Sequence, residues 1–103
     1  MPKCRVEFLD AAWRDIERIA DYHLENVGAA SAQRITDKIL DSLENLAEFP
    51  LMGPHHPDSE LTMLGYRRLV LAKTYVAVYR VIGNVVYVYH IVNGTTDYPK
   101  LLR

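Results

Sequence analysis

Gly65-Tyr66-Arg67-Arg68-Leu69-Val70-Leu71-Ala72-Lys73-Thr74-Tyr75-Val76-Ala77-Val78-Tyr79-Arg80-Val81-Ile82-Gly83-Asn84-Val85-Val86-Tyr87-Val88-Tyr89-His90-Ile91-Val92-Asn93 decides the fold. Val, Ile and Tyr dominate it, and these residues suit a pleated, half-buried surface. Gly83-Asn84 separates two such runs by two residues, which suits a tight type I′ or II′ hairpin turn. The polar residues around Thr74 mark an earlier break. The stretch therefore predicts three consecutive antiparallel strands over 66–72, 75–82 and 85–93.

A two-residue loop at Gly83-Asn84 sets a register. Ile82 lies opposite Val85, Arg80 opposite Tyr87, Val78 opposite Tyr89 and Ala77 opposite His90. Alternation then assigns Val76, Val78, Arg80, Tyr87, Tyr89 and Ile91 to one side, partly solvated. Tyr75, Ala77, Tyr79, Val81, Val86, Val88, His90 and Val92 take the other, which reads as the core face.

Working outward, residues 3–9 alternate Cys4, Val6 and Phe8 against Lys3, Arg5 and Glu7, the pattern of a half-buried strand. Asp10 has the chemistry of a helix cap. Residues 11–27 follow a helical period, with Ala12, Ile16, Ile19, Ala20, His23, Leu24 and Val27 near one stripe. Asp15, Glu17, Arg18, Asp21 and Glu25 face elsewhere, and Gly28 ends the helix as a left-handed cap. A second helix over 30–48 carries the stripe Ala32, Ile35, Ile39, Leu43 and Leu46. The short Gly-containing link makes the pair an antiparallel hairpin. Pro50 stops it, and Met52 to Pro57 is a Pro-rich connection. A last helical turn near Tyr98 packs Leu101 and Leu102 back on the sheet. The order β-α-α-β-β-β predicts an α+β domain over residues 1–103, an antiparallel sheet against an antiparallel helical hairpin.

The 103 residues suffice for one modest core. No apolar run approaches the ~18 residues of a membrane span. The start, Met-Pro-Lys-Cys-Arg-Val-Glu, lacks the apolar segment of a secretory signal, so a cytoplasmic location is expected. Cys4 is the single cysteine, so an internal disulfide is excluded. The net charge of −1 hides an asymmetry. Residues 1–64 carry −6 and residues 65–103 carry +5. That split suits a sheet that meets something anionic, or two halves that attract each other.

His55-His56 invites a metal reading. Adjacent residues rarely reach one ion, and no Cys, Asp or third His completes a tetrahedral set, so both are expected to be solvated. His90 faces the core by the register above and reads as a structural histidine, as does His23. No Ser/His/Asp arrangement, phosphate loop or carboxylate pair is visible. The residues that stand out are Arg67, Arg68, Lys73 and Arg80, flanked by Tyr87 and Tyr89. Guanidinium groups on a rigid sheet beside aromatic rings suit phosphate or carboxylate recognition. The alternative is that these charges sit at sheet edges and pair with the acidic helices.

Taken together, Ala11 to Tyr22 after a first strand, Ile39 to Leu46 followed by Phe49-Pro50 and Gly53, Gly65 to Leu69, Tyr75 to Val81, and Val88 to Gly94 with Asp97-Tyr98 resemble the RelE/ParE toxin superfamily, also called plasmid stabilisation proteins. The resemblance covers nearly the whole chain and implies the fold derived above. It further implies a growth-inhibiting toxin of a type II toxin–antitoxin pair, with a cognate antitoxin and with no cofactor or metal. Members divide by target. RelE-like members are ribosome-dependent endoribonucleases that cut mRNA, and ParE-like members inhibit DNA gyrase. Nuclease members commonly place Arg three residues before the central-strand Tyr, where this chain has Val76. They favour basic residues where it has Thr95-Thr96, and many relatives have His at Asn93. These departures, with the two long helices, favour the ParE-like branch and a protein–protein inhibitor without a catalytic constellation. In the alternative nuclease reading, the resemblance assigns Arg67 or Arg68, Arg80, Asn93 and Tyr98 to catalysis.

Overall fold

A computed structural model describes residues 3–96 and 98–102, with the side chains of residues 100 and 101 outside the description. The order is β1 (Arg5–Phe8), α1 (Asp10–Asn26), α2 (Ala29–Glu44), a 3-10 turn (Asn45–Ala47), α3 (Ser59–Met63), β2 (Arg67–Val70), β3 (Tyr75–Ile82), β4 (Val85–Asn93) and a 3-10 turn (Tyr98–Leu101). The strands form one sheet in the order β1-β4-β3-β2.

The β2-β3-β4 meander is antiparallel, as the sequence predicts. The sheet as a whole is not. β1 lies parallel to β4, with Arg5 opposite Val85 and Phe8 opposite Val88, so the sheet is mixed. The helical hairpin between β1 and β2 carries the chain across one sheet face and back, a crossover that a parallel edge strand requires.

The turn at Gly83-Asn84 is as read, with Gly83 at φ +62°. Pairing follows the predicted register from Ile82↔Val85 through Arg80↔Tyr87 to Tyr79↔Val88, then slips at a bulge, and Val78 lies opposite His90. Ala77 therefore meets Ile91, not His90, and Val76 meets Val92. The faces exchange beyond the bulge. Ile91 joins the core under the helices, while Val92 packs with the cluster on the far side. The extra residue keeps Val86, Val88 and Ile91 on the helix face although their spacing is two and then three.

The core under the helices joins Ala12, Ile16 and Ile19 of α1 and Ile39 and Leu43 of α2 to Ala77, Tyr79, Val86, Val88 and Ile91 of the sheet. The predicted α2 stripe is buried at Ile39, Leu43 and Leu46. The α1 stripe ends early: Leu24 and Val27 are exposed. Leu9, not Asp10, stands before the first helical residue, and no side chain caps that end. Gly28 has φ +139° and ψ 172°, a conformation that suits glycine but not the left-handed cap expected. Helix α3 is an element that the sequence periodicity does not predict. Asp58 caps it, its Oδ1 accepting the N–H groups of Glu60 at 3.0 Å and Leu61 at 3.1 Å.

Tyr79 anchors the connection after α2. Its ring is fully buried, and its hydroxyl donates to the Pro50 carbonyl at 2.9 Å and accepts the Gly53 N–H at 2.9 Å. Leu102 packs against the cluster on the sheet's far face, while the expected packing of Leu101 falls outside the described side chains. No helix is long and apolar enough to cross a membrane, among the described residues.

Candidate functional site

Two features stand out as sites: the sheet face turned away from the helices, and a cleft between α1 and the end of β4. On the open face, strand alternation places Arg68, Val76, Val78, Arg80, Tyr87 and Tyr89. Residues 55–66 and the last 3-10 turn cover part of it. Leu61, Tyr66 and Tyr98 form a second small core there with Val76 and Val78.

Arg80 is clamped. Its Nε and Nη2 donate to the Tyr89 hydroxyl at 3.1 and 2.6 Å, and Nη1 donates to the Leu64 carbonyl at 3.1 Å. Its guanidinium carbon lies 5.1 Å from the ring centres of both Tyr66 and Tyr89. The rings meet edge to face, and each offers its negative face to the cation. The hydrogen bond to Tyr89 pushes the Arg80 pKa still higher, and burial raises the Tyr66 phenol while Arg80 opposes it. This side chain ties β3 to the segment after α3.

The other sequence candidates divide. Arg68 shares the face of Arg80. Arg67 pairs with Tyr79 on the opposite face, donating to the Gly53 carbonyl at 2.9 Å and lying 3.3 Å from His55 Nε2. Lys73 sits at the exposed β2-β3 turn with φ +44°. Tyr87 is half-buried opposite Arg80. Asn93 closes a turn, its Oδ1 accepting from the N–H and hydroxyl of Thr95. None of the four cations pairs with a carboxylate among the described residues.

His56 is not solvated as expected. It is 4% exposed, its Nδ1 accepts the Asp58 N–H at 3.0 Å, and its Nε2 meets the Tyr98 hydroxyl at 2.6 Å. The neutral ring therefore carries its proton on Nε2 and donates to Tyr98. Burial lowers the His56 pKa, Arg68 lowers it further, and Asp58 partly offsets both. Because the folded pKa lies below the ordinary 6.5, the associated stability is fully present above that value. It is lost as the pH falls from there toward the folded pKa. We expect the melting temperature to drop on acidification from about pH 7 to 5, and less so in His56→Asn. Parallel curves for the two proteins in a thermal-melt pH series would exclude this role.

The cleft is lined by Asp15 and His90, residues expected in solvent and in the core. Asp15 was expected in solvent, yet it is buried. It lies between Ala12 and Ile19 at helical spacing, at the rim of the stripe, which is the signal in the sequence that marks it. β1 stops at Phe8 opposite Val88, so β4 continues without a partner on that side. Asp15 Oδ2 supplies the missing acceptor, taking the Ile91 N–H at 3.0 Å and lying 2.8 Å from His90 Nδ1. Arg18 lies 3.5 Å from Asp15 Oδ1. No three His, Cys, Asp or Glu side chains come together as a metal would need, among the described residues.

A family model described as the ParE toxin of the type II toxin–antitoxin system parDE matches residues 6–98. The chain belongs to the ParE toxin family. Among solved structures, the chromosomal ParDE system from P. aeruginosa superposes with a TM-score of 0.75 at 21% identity, covering 88% of this chain and 96% of that one. The toxin–antitoxin complex RelBE2 from Mycobacterium tuberculosis gives 0.65 at 18% identity, covering 88% and 98%. The YoeB/ParE toxin from Agrobacterium tumefaciens gives 0.59 at 19% identity, covering 86% and 96%. No curated protein sequence matches. For a ParE-family toxin, the open face is built around a locked arginine, and Arg68 is the cation on it whose side chain makes no hydrogen bond among the described residues.

Proposed function

We propose that this ParE-family chain inhibits DNA gyrase by binding it in the bacterial cytoplasm, and that a cognate antitoxin neutralises it. The observation that carries this reading is the state of Arg80. Its Nε and both terminal nitrogens donate to Tyr89 and Leu64, which leaves it poorly placed to stabilise a phosphorane. Arg67 lies on the other face, Lys73 lies in a turn, and Asn93 ends β4 with its side chain bonded to Thr95. A surface that binds a protein needs shape and charge, not convergent acid and base groups. The test is a supercoiling assay with purified gyrase and relaxed plasmid. Inhibition that rises with toxin concentration, and is relieved by the antitoxin, is the expected result. Unimpaired supercoiling at a large excess of toxin would overturn it.

One observation favours the second reading, a RelE-like ribosome-dependent endoribonuclease. His56, Tyr98 and Arg68 gather beside the open face, with the His56–Tyr98 contact at 2.6 Å and Arg68 close enough to depress the His56 pKa. Cleavage of mRNA only on ribosomes, abolished by Arg68→Ala, would replace the gyrase reading with this one.

A further inference from the structure

We propose that the cleft between α1 and the end of β4 is a nucleotide-binding site, separate from the open face. The cleft measures about 850 Å³, within the range of small-molecule sites. Its lining includes Arg18, Ile19, Tyr22, Tyr75, His90 and Asn93.

Each part of such a ligand has a counterpart. Asp15 holds His90 by Nδ1 at 2.8 Å, and the same carboxylate oxygen is fixed by the Ile91 N–H at 3.0 Å. The neutral imidazole therefore keeps its proton on Nδ1 and presents the Nε2 lone pair. That nitrogen makes no hydrogen bond among the described residues. It is an oriented acceptor for a ribose hydroxyl or a ring N–H. Asn93 spends its Oδ1 on Thr95, and among the described residues its amide N–H groups remain as donors. Tyr22 is 60% exposed and Tyr75 half-buried, and their rings with Ile19 give the apolar, aromatic wall that a base requires. The Arg18 side chain is 76% exposed, and its contact with Asp15 at 3.5 Å is its one ion pair among the described residues, which leaves most of its donor fork for a phosphate. A planar ring, a hydroxyl-bearing sugar and an anion thus match the aromatic wall, the imidazole acceptor and the guanidinium. The use of Asp15 is a further pointer. A buried carboxylate that only sealed the strand edge would need one acceptor bond, and this one also fixes a histidine at the cleft.

The experiment is a titration of the full chain, followed by NMR of the imidazole ring signals. The probes are AMP, GMP, CMP and UMP, with adenosine and inorganic phosphate as partial ligands. His55, which contacts Arg67 away from the cleft, serves as the internal reference. The expected result is a saturable shift of His90 with at least one mononucleotide, and binding at least about tenfold weaker for adenosine and for phosphate. Arg18→Gln and Tyr22→Ala alter exposed side chains and keep the fold, and each weakens binding about tenfold. Three results overturn the proposal. The first is a His90 signal unmoved by all four mononucleotides at millimolar concentration. The second is a shift reproduced by phosphate alone. The third is a His90 shift caused by a partner's peptide but not by nucleotides, which would make the cleft a protein-docking surface. Gyrase inhibition by the Arg18→Gln variant is read separately, so failure here leaves the proposed target untouched.

Discussion

Gly53→Ala is expected to lower stability by about 3 kcal/mol, which for a domain of this size moves the melting temperature by on the order of 15 °C. A Cβ at this position would lie 2.5 Å from the Arg68 carbonyl oxygen and 2.6 Å from the Tyr79 hydroxyl. The first neighbour is backbone of β2, and the second is a ring with no exposed surface, so neither yields cheaply. The methyl group would also push apart the two hydrogen bonds by which Tyr79 holds the Pro50–Gly53 connection. Tyr79→Phe separates the contributions. It keeps the ring and leaves the Gly53 N–H and Pro50 carbonyl without that partner, at a cost of about 1–3 kcal/mol. In the Tyr79→Phe background Gly53→Ala should remain destabilising, because the Arg68 carbonyl is still in the way. Denaturant melts of the two single variants and the double variant settle the matter. A Gly53→Ala protein within experimental error of the wild type would mean that the connection moves freely, contrary to this geometry.

The second large effect is expected at Asp15. Asp15→Ala removes the acceptor of the Ile91 N–H and the partner of His90 together, and about 3 kcal/mol is lost. Asp15→Asn keeps one carbonyl oxygen for the strand N–H and costs less. The local readout is hydrogen exchange at the Ile91 amide. It should accelerate strongly in Asp15→Ala, while the Val86 and Val88 amides in the same strand change only with global stability. Uniform acceleration across β4 would show that Asp15 contributes to general packing and not to this strand edge.

The fold was legible where periodicity carries it. The Gly83-Asn84 turn, the two helices and the α2 stripe all follow from local chemistry. Three features were not, each for a physical reason. The bulge breaks strict alternation, and its trace is the step from Val86 and Val88 to Ile91, which becomes visible only once a core face is assumed. The parallel placement of β1 is a long-range choice that a four-residue strand does not encode. Helix α3 is too short to show a period, although Asp58 followed by Ser59-Glu60-Leu61 carries a capping signal. At the candidate sites the residue types were readable and their partners were not. Arg80 stands out in the sequence by its charge, yet three of its nitrogens serve the fold. His56 and Asp15 looked solvated because burial of a polar group depends on the partner that satisfies it, and Tyr98 and His90 lie far away in sequence.

The pairing of β1 with β4 has a consequence in time. β1 leaves the ribosome well before β4, the strand it is matched to, so Arg5 waits for Val85. Until β3 is made, α1 and α2 have only each other to cover an apolar stripe meant for β3 and β4. Closing so long a loop is the slow part of assembling such a topology. Nascent chains that end before Val85 lack the strand on which β1 lies. The sheet is therefore completed late, and a translation product interrupted before Val85 can pair β3 with β2 but leaves β1 without its strand.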